Sequence, residues 1–146
     1  MTRVLIVDAN FYQDLADELV RGAVGELEAR GITYDRVSVP GALEIPTAIS
    51  IAAKRSNGPA YDAFVALGCV IRGETSHYDI VCGESARGLS ELALNRGLII
   101  GNGILTVDTK DQAWARAAVD GNGKNKGRDA VIACVCLTDL KVRYRV

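Results

Sequence analysis

The chain of 146 residues is 49% hydrophobic and 24% charged, and its 17 Lys and Arg against 18 Asp and Glu leave a formal net charge of -1. This balance predicts one globular domain, residues 1–146, with enough apolar material for a core and no basic footprint for a nucleic-acid backbone. Aromatics at 5% leave little to stack on bases, and no apolar run is long enough to span a membrane or to form the core of a signal peptide. A cytoplasmic location is therefore expected.

The first element is "VLIVD" at residues 4–8, a β-branched run without polar interruption, as expected of a strand buried on both faces. A helix follows, in which Leu15, Ala16, Leu19, Val20, Ala23 and Leu27 recur at three- and four-residue spacing and Gly31 supplies the stop. Residues 33–39, "TYDRVSV", form a more polar second strand. "PGA" then turns into a helix running to about Arg55, with Pro46 tolerated in its first turn.

After the loop "SNGP", residues 61–71 form a third buried strand. The next helix has Ser76 as its N-cap and Asp79 completing a capping box, with a buried stripe of Tyr78, Val81, Cys82, Ser85, Leu89, Leu92 and Ala93. Residues 97–107 form a fourth strand, with a bend expected at Gly101 and Gly103. Thr109 and Gln112 repeat the capping-box pattern for a short helix through Ala118, in which Trp114 is a packing residue. "VDGNGKNKG" is a loop, and the tail from Arg128 is assigned to a closing helix despite its β-branched content.

Alternating strands and helices predict right-handed crossovers and a three-layer α/β/α sandwich around a four-stranded parallel sheet, of flavodoxin-like topology. Ligands of such sheets bind beyond the carboxyl ends of the strands. "DANF", "VPGALE", "IRGETSH" and "GNG" fall there.

In "RGETSH" the backbone amides of Glu74 and Thr75 precede a helix N-terminus and can cradle an oxyanion beside Arg72. Equally, Ser76 can be a plain cap and Arg72 a solvated charge. His77, the only histidine, falls in the first turn, where the helix dipole favours the neutral ring that general acid–base work needs. Glu44 can accept from substrate hydroxyls or simply favour a helix start. Phe11 is either a packed staple or a platform for a planar ring, and packing is the ordinary expectation. Arg116, Lys124 and Lys126 form the one local cluster of positive charge, read as a solvated loop or as a clamp for an anion. Cys69, Cys82, Cys134 and Cys136 contain no C-x-x-C pair, so reduced, buried thiols and no metal site are expected.

"FY" after the first strand, "VPGALEIP", "GCVIRGETSHYDIVCGES" and a late "NKG" occur in this order over nearly the whole chain. In these motifs the chain resembles the 6,7-dimethyl-8-ribityllumazine synthases, transferases of riboflavin biosynthesis. The resemblance implies condensation of 5-amino-6-ribitylaminouracil with 3,4-dihydroxy-2-butanone 4-phosphate to 6,7-dimethyl-8-ribityllumazine, phosphate and water, without a metal or organic cofactor. It implies that Phe11 stacks on the pyrimidine and that Ala42, Leu43 and Glu44 hold the ribityl chain. Cys69, Val70 and Ile71 would contact the pyrimidine mainly through backbone, and Glu74 and Thr75 would bind the phosphate. His77 would shuttle protons, Arg116 would reach the phosphate from a neighbouring subunit, and Lys126, in competition with Lys124, would meet the pyrimidine.

The chain departs from the family pattern in two places. Asn102 stands where many members carry an aromatic residue, which implies a more polar wall contributed by the neighbouring subunit. The loop "RAAVDGNGKNKG" is longer than in members that close into 60-subunit capsids, so an isolated homopentamer is expected, with association to riboflavin synthase as a further partner. A flavin-binding protein with the same pocket, a flavodoxin-like electron carrier and a structural shell protein are the alternatives. "DANFYQD" lacks the hydroxyl- and glycine-rich loop of the flavodoxins, and a flavin binder has no need of a phosphate clamp beside a proton donor.

Overall fold

The computed structural model describes residues 3–120 and 124–146. Its elements are β1 (Arg3–Ala9), α1 (Gln13–Ala29), β2 (Thr33–Val39), a 3-10 turn (Ala42–Glu44), α2 (Ile45–Ala52), β3 (Ala63–Ile71), α3 (His77–Arg96), β4 (Ile100–Val107), α4 (Lys110–Ala117) and α5 (Lys126–Tyr144). All neighbouring strands pair in parallel, in the order β2-β1-β3-β4. The chain moves outward from β1 to β2 and then returns to place β3 on the other side of β1. That reversal opens a crevice at the carboxyl ends of β1 and β3.

The period of two along the central strands builds two cores. Val4 and Ile6 of β1 and Val65 and Leu67 of β3 face α1, α4 and α5, where they meet Leu15, Leu19, Ala23, Ala113, Val131 and Cys134. Leu5 and Val7 with Phe64 and Ala66 face α2 and α3, against Ile45, Ile49 and Leu89. The result is the expected three-layer α/β/α sandwich. The tail from Arg128 is helical as assigned: Ala130, Val131 and Cys134, at three- and four-residue spacing, are buried in the core, whereas β-branched Val142 is exposed. Gly31 takes φ 68°, and Ile32 N–H returns to Leu27 C=O at 3.0 Å, which ends α1 in a left-handed cap.

Several local expectations are corrected. β4 pairs with β3 without interruption from Ile100 to Val107, so Gly101 and Gly103 do not bend it. They let α5 approach instead: a Cβ on Gly101 would sit 2.1 Å from the Ala130 carbonyl oxygen, and one on Gly103 would sit 3.0 Å from that of Lys126. The turn after "PG" is 3-10 before α2 begins at Ile45, and α2 ends at Ala52 rather than near Arg55. Ser76 makes no side-chain cap to α3, and Thr75 Oγ1 accepts from His77 N–H at 3.3 Å in its place. In α3's predicted stripe only Val81, Ser85 and Leu89 are fully buried. The α4 box does form: Thr109 Oγ1 accepts from Gln112 N–H at 3.2 Å, while Gln112 Oε1 accepts from Asp108 N–H at 2.8 Å. All four cysteines are free, but only Cys69 and Cys134 are buried, and Cys136 is exposed. The loop-length expectation around Asn122 falls on residues 121–123, outside the described residues.

Candidate functional site

Asp8 is fully buried near the end of β1, and its carboxylate accepts from Arg36 Nε at 2.9 Å, Arg36 Nη2 at 3.0 Å and the Ser38 hydroxyl at 2.9 Å. A bidentate, charge-assisted pair of this kind ties the carboxyl end of β1 to that of β2. The two loops that leave there carry Phe11 and "PGALE".

These loops, the end of β3 and the start of α3 enclose a cleft of about 370 Å³. Phe11, Ala42, Leu43, Glu44, Cys69, Val70, Ile71, Thr75 and His77 all line it, joined by Tyr12, Gly41, Gly73, Tyr78 and Val81. Phe11 is 74% exposed and stands edge-on to Tyr12, with ring centroids 5.0 Å apart. Packing is therefore not its role. An exposed aromatic face at a cleft mouth is suited to stacking a planar ring. Gly41 is extended at φ -144°, and the space its absent side chain leaves is filled by Glu44 Oε1, 3.2 Å from where a Cβ would be. The carboxylate is thereby carried over the cleft wall.

Cys69 presents a thiol that is 8% exposed, pushed up to about 11 by burial and, secondarily, by the charge of Asp14. It is protonated at neutral pH and is no nucleophile. Val70 and Ile71 continue the strand along the apolar floor, completed by Val81. Thr75 and His77 lie exposed at the mouth, on the first turn of α3.

Arg72 does not stand free beside this turn. Its Nε donates to Asp108 at 2.9 Å, its Nη1 lies 3.8 Å from Asp79, and its guanidinium covers the Tyr78 ring. Arg72 is exposed yet partnered, and these contacts brace the turn that carries Glu74, Thr75 and His77.

The remaining candidates are elsewhere in the chain. Glu74 is exposed on the same turn but does not line the cleft. Asn102 is exposed midway along β4, its Oδ1 accepting from Ile104 N–H at 3.0 Å. Arg116 and Lys126 line a second cleft of about 280 Å³, together with Lys124, Asn125 and Asp129. Sequence reasoning thus found most of the first cleft and missed Tyr12, Tyr78 and Val81. Tyr78 and Val81 had been assigned to the buried stripe of α3, where i and i+3 share one face. That face borders the cleft as well as the core.

The family model of 6,7-dimethyl-8-ribityllumazine synthase matches residues 1–141. A 6,7-dimethyl-8-ribityllumazine synthase of Azorhizobium caulinodans is 57% identical over 97% of this chain and 87% of its own. Those of Afipia carboxidovorans, at 54% identity over 95% of this chain and 85% of its own, and of Bartonella tribocorum, at 51% over 97% and 91%, are similar to the same extent. With the family model spanning nearly the whole chain and relatives above half identity, this protein belongs to the 6,7-dimethyl-8-ribityllumazine synthase family.

Proposed function

We propose that this chain condenses 5-amino-6-ribitylaminouracil with 3,4-dihydroxy-2-butanone 4-phosphate, forming 6,7-dimethyl-8-ribityllumazine and releasing phosphate and water. Family membership supplies the reaction. The observation that carries it to this chain is that one cleft gathers an exposed aromatic platform, Phe11, a carboxylate, Glu44, and the only histidine, His77.

In this reading Phe11 stacks on the pyrimidine, backbone groups of Cys69, Val70 and Ile71 meet its edge, and Ala42, Leu43 and Glu44 take the ribityl chain. Glu74 and Thr75 receive the phosphate at the start of α3, where the helix dipole favours an anion. The substrate amine attacks the ketone carbon to give a carbinolamine, which loses water to become an imine. Phosphate then leaves by elimination, the resulting enol becomes a ketone, and the second amine attacks that carbonyl and closes the ring with loss of a second water. His77 moves protons in these steps, and holding an already reactive amine and ketone together contributes at least as much.

Arg116, Lys126 and Asn102 serve the cleft of a neighbouring subunit. The separation of the two clefts within one chain supports this, since no residue of the positive cluster lines the first. We read the assembly as a homopentamer acting in the cytoplasm. No helix among the described residues is long and apolar enough to cross a membrane.

The test follows lumazine absorbance and phosphate release from the two substrates against the uncatalysed mixture. Acceleration that weakens when Arg116 or His77 is replaced supports a synthase with a shared site. Tight riboflavin binding without acceleration would replace it with a binding protein.

A further inference from the structure

Asn125 is 4% exposed, one of three buried polar or charged residues among those described, and it lines the second cleft without a role assigned above. Its position before α5 requires only a capping oxygen, and Oδ1 does accept from Arg128 N–H at 2.8 Å. Its amide nitrogen does more. It donates to the carbonyl of Ala117, the last residue of α4, and to that of Glu18 in α1 at 3.3 Å. One side chain therefore joins three helices, with donors spent on partners 8 and 107 residues away. Serine or aspartate would cap α5 but could not donate to both carbonyls.

The surrounding chain reserves space for this amide. A Cβ on Gly22, in mid-α1, would fall 2.0 Å from Asn125 Oδ1, and one on Gly127 would fall 2.0 Å from the Leu19 carbonyl oxygen. Ala117 follows Arg116 directly and Asn125 precedes Lys126. The bridge thus ties the end of α4 that carries Arg116 to the start of α5 that carries Lys126, at the wall of the second cleft.

We propose that Asn125 is a positioning residue, which fixes Arg116 relative to Lys126 and so sets the affinity of that cleft for a phosphate group. For its substrate the proposal rests on the function proposed above.

Asn125→Ser keeps a capping oxygen and loses the bridge to α4, and Gly22→Ala, at a position outside the cleft, displaces the whole amide, capping oxygen included, from the α1 side. Neither changes charge. In both, KM for the phosphate-bearing substrate should rise about tenfold, with KM for the amine substrate and kcat within about threefold, because Arg116 loses its anchor while Lys126 stays on a helix held by the core contacts of Ala130, Val131 and Cys134. Asn95→Asp, on exposed α3, serves as the control for handling and assay. Unchanged KM values, or a fall in kcat matched to the unfolded fraction with both KM values intact, would overturn the proposal. Calorimetric titration with inorganic phosphate reads the same point without turnover: weaker binding in both variants supports it, and equal binding overturns it. Wild-type protein that binds phosphate in this Asn125-dependent way yet forms no lumazine would remove the substrate reading and leave the positioning role standing.

Discussion

The guanidinium carbon of Arg72 lies 4.2 Å from the centroid of the Tyr78 ring, which closes the turn between β3 and α3. Asp108, just past β4, holds the same guanidinium at 2.9 Å. Two strand ends and one helix start are thus joined through an arginine that the sequence left open between an anion ligand and a solvated charge. Replacing Arg72 by alanine should lower stability only slightly, because its cation–π contact and its ion pairs are solvent-exposed. Its effect on kcat/KM should be larger, about tenfold, because the loosened turn carries Thr75 and His77. Urea denaturation beside steady-state kinetics separates the two effects, and an activity loss no greater than the stability loss implies would count against the brace.

His77→Ala should lower kcat by about 10²-fold and leave a rate above the uncatalysed mixture, since proximity remains when the proton shuttle is gone. A folded variant without any acceleration would show that proton transfer, and not the holding of two reactive groups, dominates.

Phe11→Ala removes a ring that is 74% exposed. Its thermal midpoint should hardly move, with stability within about 0.5 kcal/mol. KM for the pyrimidine substrate should rise about tenfold, the scale of losing one base–aromatic stack. Equal KM values for variant and wild type would return Phe11 to a merely exposed side chain.

Burial raises the Cys69 thiol to about 11 and the Cys134 thiol to about 12, from an ordinary value of 9.0. Below pH 9 both are protonated whether the chain is folded or not, and their contribution to stability is complete. Above it the unfolded chain releases these protons first, so stability falls as pH rises through 9 toward 11 and 12. Denaturant midpoints measured from pH 8 to pH 10.5 should decline, and Cys134→Ala should flatten part of that decline. Cys69→Ser should retain turnover, because a protonated thiol does no covalent work at neutral pH.

Gly101→Ala would force a Cβ to 2.1 Å from the Ala130 carbonyl oxygen and 2.9 Å from Cys134 Sγ. A backbone atom cannot rotate away, so α5 must shift off β4. Stability should fall by about 1–3 kcal/mol, read by thermal or urea unfolding. A neutral result would mean that this helix contact is soft.

The order of elements and the parallel sheet were legible because they follow from local chemistry, and the family resemblance supplied several residues of the first cleft, among them Ala42, Leu43, Cys69, Val70 and Ile71. "VLIVD" has no polar residue to give a strand a wet face until Asp8, and even Asp8 is buried, with its charge met by Arg36. The α1 stripe from Leu15 to Leu27 repeats at helical spacing, and all of it is in the core. Phe11, "PGALE" and "RGETSH" follow three parallel strands whose shared direction brings their carboxyl ends together.

Tertiary structure decided what spacing cannot encode. Gly101 marks a close helix approach rather than a bend, because only α5, 29 residues later at Ala130, makes its missing side chain necessary. Arg72 read equally as an anion ligand or a solvated charge, and its bracing role was hidden because Asp108 arrives from the end of another strand, where opposite charges within reach pair. Asn125 fell within the loop "VDGNGKNKG" when read from its neighbours alone. Its role in joining three helices depends on Glu18, 107 residues away, and on a glycine in α1 that leaves room for it. A side chain's own preferences are written locally, whereas its partners are chosen by the fold that brings distant backbone groups within hydrogen-bonding distance.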